Sequence, residues 1–166
     1  LGDDPWLAFD EALYRGPKAC ASCHSQEHAS WGLTHHSIAY WTLYERQNHE
    51  QQECVGCHVT GLGEPGGFVV GDHSSPLADV TCEACHGPSG PHAGPRPDRA
   101  VVLSRCVACH DDDHSIQFEV ERALPHIDHF AARSLDPEAF RAAREALLDG
   151  RAPRPLLAFP EGANQG

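Results

Sequence analysis

Residues 79–94 read "DVTCEACHGPSGPHAG". Cys82 and Cys85 enclose two residues, His86 follows at once, and His92 arrives six residues later through a loop of Gly, Pro and Ser. Two thiols, a fixed imidazole and a delivered imidazole suit three chemistries: a zinc knuckle, a redox dithiol or a haem anchor. The rest of the chain chooses among them.

All eight cysteines fall into four copies of the same pattern, with none left over. They are "CASCH" (Cys20, Cys23, His24), "CVGCH" (Cys54, Cys57, His58), "CEACH" (Cys82, Cys85, His86) and "CVACH" (Cys106, Cys109, His110). A zinc ribbon takes two CxxC pairs per ion and makes no demand on the residue that follows. A thioredoxin-type dithiol needs one pair and no adjoining histidine. Disulfide frameworks would not repeat a spacing of two, nor bring a histidine each time. Covalent c-type haem accounts for every position. Two thiols add to the two vinyl groups of one porphyrin edge, and a helical turn between them carries the next residue beneath the iron as proximal ligand. The pattern thus predicts four covalently bound haems, with the eight cysteines as attachment points and His24, His58, His86 and His110 as proximal ligands.

Composition agrees with a fold built around cofactors. The chain has 166 residues, enough for one domain or one domain with an appendage. Hydrophobic residues make up 40% and mean hydropathy is -0.43, while Gly numbers 15 and Pro 13. That implies a modest apolar core with many turns, so a cofactor or metal must staple the structure. The net charge of -12, with only 12 Lys and Arg, excludes a nucleic-acid partner. It reads as solubility, or as attraction for a basic partner. No run of eighteen apolar residues is present to span a membrane. The opening "LGDDPWLAFD" does not resemble a secretory signal, so the chain reads as a mature form or as a fragment.

The expected fold class is mostly α with extensive coil: a small, cofactor-dominated tetrahaem domain over residues 1–133, then a helix and extended tail over 134–166. The motifs begin at 20, 54, 82 and 106, a string of haem clips rather than an exact repeat. About forty residues per haem is sparse, so neighbouring porphyrins must pack together. A helix is expected over about 25–46, carrying Trp31, His36, Tyr40 and Leu43 inward. Gly32 costs about 1 kcal/mol against Ala and marks where that helix can break. The clearest helix is "PEAFRAAREALL", with Asp136 as cap, Pro137 in the first turn and Gly150 as a stop. Phe140, Ala143 and Leu147 form its expected apolar stripe.

Thirteen histidines less the four proximal ones leave nine for at most four sixth positions. The chain has no Met, which excludes the His/Met ligation of high-potential carriers. Each iron is then bis-His or open on one side, and bis-His ligation points to low potential. His73, in the polar turn "GDHSSP", is one spare candidate for a distal ligand.

The stretch "CASCHSQEHASWGLTHHSIAYWTL" resembles the first haem segment of the cytochrome c-554 family of multihaem cytochromes. "CVGCHVTGLGEPGGF", "VTCEACHGPSGPH" and "CVACHDDDHSIQFEVERALPHIDH" are similar to its second, third and fourth segments, so that the likeness covers about residues 17–130. The resemblance implies distal ligands at His36, His92 and His129. In that family one haem can lack a strong sixth ligand, and no fixed histidine stands at the place of His73. Adjacent His35 and nearby His126 are the alternatives to His36 and His129.

The resulting reading is a tetrahaem electron-transfer cytochrome with mainly bis-His haems and redox-protein partners. Two other classes fit: a subunit of an extracellular conductive filament, and a reductase of small nitrogen compounds at an open haem. The pattern favours a carrier over an enzyme. Haem attachment of this type takes place outside the bacterial cytoplasm, which implies a periplasmic or extracellular location. Intact-mass measurement of the purified protein should exceed the polypeptide by four haems; bare thiols, or zinc in their place, would end this reading.

Overall fold

The computed structural model describes residues 13–88 and 98–149. Within them the chain is helix and coil without a strand, and one antiparallel bridge joins Val59 to Ala78. The helices are α1 (Pro17–Ala21), α2 (Ser25–Gly32), α3 (Ala39–Glu45), α4 (Gln52–Val55), α5 (Cys82–His86), α6 (Arg99–Ser104), α7 (Val120–Ala123) and α8 (Pro137–Leu148). Short 3-10 turns lie at His35–Ile38, Cys106–Ala108, Leu124–Ile127 and Ala131–Ser134. None of the described helices is long and apolar enough to cross a membrane.

The helix expected over 25–46 does break at Gly32. Thr34 turns extended, the 3-10 turn His35–Ile38 follows, and α3 starts afresh. Distant groups hold the break in place. The Asp79 carboxylate accepts the Tyr40 N–H at 2.9 Å, and so caps α3 from across the chain. Ser37, fully buried, hydrogen-bonds the Thr34 carbonyl at 2.9 Å. The Arg144 guanidinium donates to the Gly32 carbonyl and, at 2.6 Å, to the Ser37 hydroxyl.

Arg144 comes from α8, whose N-terminus forms as the sequence dictates. Asp136 accepts the N–H groups of Glu138 and Ala139, with Pro137 in the first turn. The helix closes on Asp149 in the left-handed region, at φ 47, while Gly150 lies outside the described residues. Its inward stripe differs from the apolar pattern. Phe140, Arg144 and Leu148 are buried, Leu147 is half-buried and Ala143 is exposed. The reason is polar: Arg144 faces carbonyl and hydroxyl acceptors at the α2 break, so a cation occupies the central inward place. Burial pushes the Arg144 guanidinium below its usual range, and the Asp79 carboxylate opposes that shift.

Residues 59–81 fold as a compact set of turns stitched by Thr60. Its hydroxyl donates to the Asp79 carbonyl at 2.9 Å and accepts the Thr81 N–H at 2.9 Å. A Cβ on Gly61, at φ 74, would lie 2.7 Å from the Tyr14 ring, so glycine is required there. Glu83, inside the third CxxCH motif, is 2% exposed and accepts the backbone N–H groups of Arg15 and Gly16 at 2.7–3.0 Å. This clamp ties the approach to the first motif onto the third.

Apolar burial is divided. Tyr40, Leu43, Val55, Val59, Phe68, Leu77 and Ala78 form one cluster; Ala29, Ala132 and Phe140 form another; Ile38 pairs with Leu148. Among the described residues the protein part makes three small cores, the arrangement expected where bulky cofactors fill the middle.

Arg144→Ala removes both hydrogen bonds at the break and the charge facing Asp79. It should cost about 3 kcal/mol, read as a lower thermal midpoint of the haem-loaded protein. Glu83→Ala should cost about 2 kcal/mol by stranding two N–H donors, whereas Glu53→Ala, at an exposed site, should leave the midpoint in place.

Candidate haem centre

Each attachment motif is a single tight turn. His24 N–H reaches the Cys20 carbonyl at 2.9 Å, His110 N–H reaches Cys106 at 2.9 Å, and the third motif is α5 itself. In the second motif His58 N–H bonds the Val55 carbonyl at 2.9 Å. No disulfide joins any of the eight cysteines. The turns therefore present two thiols and one imidazole per motif.

A proximal histidine must offer a bare ring nitrogen to the metal, and its other nitrogen decides which one that is. The Nδ1 of His58 lies 2.7 Å from the Ala39 carbonyl. A carbonyl only accepts, so Nδ1 carries the proton and Nε2 is free to ligate. His110 is fixed twice: Nδ1 sits 2.8 Å from the Ser115 hydroxyl, and its ring stacks on Phe118 at 4.3 Å with planes 9° apart. Burial lowers the pKa of His36, His86 and His110, because desolvation disfavours the imidazolium. The neutral form, which binds metal, is the one favoured.

Two histidine pairs stand at an axial distance. His36 faces His110 with ring centroids 6.1 Å apart, and His86 faces His129 at 5.9 Å. Two metal–imidazole bonds of about 2 Å in line, with the ring offsets added, put ring centres about 6 Å apart. His36 is held by backbone: its carbonyl accepts the Val80 N–H at 3.1 Å, and Trp31 next to the break donates its indole N–H to the Val80 carbonyl at 2.9 Å. Its neighbour His35 is exposed; His126 and His129 are both exposed, and of the two it is His129 whose ring meets that of His86. His92 lies outside the described residues. His73 sits elsewhere, with Nδ1 2.9 Å from the Tyr40 hydroxyl and its ring 5.2 Å from that of His49.

The motifs meet in an order unlike their order in sequence. Cys20 of the first hydrogen-bonds Cys82 of the third, which lowers the Cys20 pKa and raises that of Cys82. Cys85 of the third lies within electrostatic reach of Cys106 of the fourth; burial is the larger cause of its raised pKa. Burial and Cys57 of the second push Cys109 of the fourth up to about 12. In space the sites run first, third, fourth, second.

These residues fit c-type haem. Each motif offers two thiols and an imidazole, the His58 tautomer is fixed, and two pairs of opposed imidazoles have the spacing of axial ligands. Val101, Val107 and Ile116, on either side of and within the fourth motif, keep exposed apolar side chains of the kind a cofactor covers. The sequence pattern gave no sign of Arg144, Asp79 or Glu83, since each acts through contacts with distant residues.

Comparison with known proteins agrees with the site. The family model "Cytochrome c554 and c-prime" matches residues 19–87. Cytochrome c-554 of Nitrosomonas europaea is 32% identical over 141 residues, covering 63% of this chain and 60% of that protein. Multiheme cytochrome MtrA of Shewanella baltica is 22% identical over 126 residues, covering 66% of this chain and 37% of that protein. The chain thus spans less than two thirds of either relative. No solved structure matches at a significant level. With CxxCH turns, opposed imidazoles and this match through the first three motifs, the chain is similar to the cytochrome c-554 family, and its motifs are those that bind c-type haem covalently.

Proposed function

We propose that this chain is an electron-transfer cytochrome that holds four c-type haems. His36 is assigned to the iron of His110 and His129 to that of His86; His92, which the resemblance implies as a ligand, is the candidate for a third distal position. The observation that carries the reading is the pair of axial spacings, 6.1 and 5.9 Å, between histidines from different segments. When bound, the haems supply one-electron oxidation and reduction.

The chain's own part is placement and electrostatics. Glu83 clamps the approach to the first motif onto the third, and the nearness of Cys20 to Cys82, of Cys85 to Cys106 and of Cys57 to Cys109 would bring neighbouring haems side by side. Imidazole on both faces, in a chain without Met, favours the ferric state and so low potential. The net charge of -12 suits recognition of a redox protein with a basic face. A periplasmic or extracellular setting follows from covalent haem attachment.

A second reading rests on His58. Among the described residues no histidine ring faces it as His36 faces His110. Such a site would bind a small ligand and give the chain a reductase activity.

The spin state of each iron, followed by electron paramagnetic resonance across protein concentration, tests both readings. Three or four low-spin centres in dilute protein support the ligand assignments, and His36→Ala should convert one of them to high spin. If His36→Ala leaves every centre low-spin, His36 is not an axial ligand. A wild-type high-spin centre that binds carbon monoxide on reduction would favour the second reading.

A further inference from the structure

A second group of metal-binding side chains meets away from the four CxxCH motifs. His49, just beyond α3, Glu50 and His73 each bring one ligand atom within 4.8 Å of the others. We propose that His49, His73 and Glu50 form a site for a divalent first-row transition-metal ion of the zinc type, distinct from the haem irons.

Hydrogen bonding prepares His73. The Tyr40 hydroxyl contacts the His49 carbonyl at 3.2 Å and the His73 Nδ1 at 2.9 Å. A hydroxyl has one hydrogen, and the carbonyl can only accept, so that hydrogen goes to His49. With its hydrogen on the His49 carbonyl, the hydroxyl accepts from His73 Nδ1, which makes Nε2 the nitrogen suited to ligation. This is the outer-shell arrangement that metal-binding histidines use. One tyrosine thus ties the His49 backbone to the His73 ring.

Ring spacing separates this pair from the axial ones. The centroids of His49 and His73 are 5.2 Å apart, with planes inclined at 63°. Two bonds of about 2 Å meeting at a tetrahedral angle put imidazole centres about 5 Å apart. The axial pairs, at 6.1 and 5.9 Å, match bonds in line. Tyr44 lies 4.2 Å from the His49 ring and 5.7 Å from that of His73, which braces both. The Nδ1 of His49 is shut off from water without a hydrogen-bond partner, a gap of the kind a bound ion accounts for. Glu50 supplies a carboxylate at the exposed side of the site. Two imidazoles, one carboxylate and a water complete four-coordination.

The test uses the haem-loaded protein, stripped with a chelator and titrated with Zn2+ by calorimetry. One saturable site is expected, weakened at least about a hundredfold by His49→Ala and by His73→Ala. Tyr40→Phe, which keeps both ligands and the ring packing, should weaken it about tenfold. Unchanged Zn2+ affinity in the His49→Ala/His73→Ala double variant would overturn the proposal. So would a change of haem spin state in His73→Ala, since it would put His73 on an iron. Calorimetry and haem spectra read separate sites, so failure here leaves the electron-transfer reading standing.

Discussion

An imidazole binds a metal only when it is neutral, bare at one nitrogen and aimed. The folded chain meets that constraint in several ways. The Ala39 carbonyl fixes the tautomer of His58. Ser115 and Phe118 fix the ring of His110, and burial keeps it neutral. His36 is placed through its main chain: its backbone is pinned by Val80 and its neighbour Ser37 by Arg144. Aim comes from side-chain packing in one case and from main-chain placement in the other.

That difference gives the C-terminal helix its meaning. A helix that merely covered an apolar face would carry a leucine where α8 carries Arg144. The guanidinium reaches the break after α2, where a backbone carbonyl and a hydroxyl accept its hydrogens. The break presents His36 and starts α3, whose Ala39 carbonyl orients His58. One buried cation thus supports both a candidate proximal and a candidate distal histidine, with Asp79 offsetting part of its desolvation.

Sequence legibility followed the range of each interaction. The CxxCH turns, the cap at Asp136 and the weak point at Gly32 are local, and all can be read from a few adjacent letters. That only one of His35 and His36 can face a given target was open to sequence, while the preference for His36 came from the resemblance; the structure exposes His35 and leaves His36 half-buried. Asp79 capping Tyr40, Glu83 holding Arg15 and Gly16, and Arg144 at the break were not legible. Each joins residues at least 39 positions apart and leaves no periodic trace. The apolar stripe of α8 misled for the same reason: Ala143 fits a hydrophobic pattern, but the buried face is set by what Arg144 meets. The order of motifs in space was likewise hidden, because chain order does not dictate which cysteines come together.

Spacing between imidazoles then carries information that residue identity does not. All the candidate ligands are histidines, so chemistry alone would assign them alike. Centroid distances near 6 Å leave room for a metal on the line between two imidazoles, the spacing that bis-His ligation of a haem would need. A distance of 5.2 Å with inclined planes leaves no room for that plane between His49 and His73, but suits adjacent corners of a tetrahedron. A difference of about 1 Å would thus suit the rings of one chain to two coordination geometries, and that difference follows from Tyr40, Tyr44 and Val80 rather than from the histidines themselves.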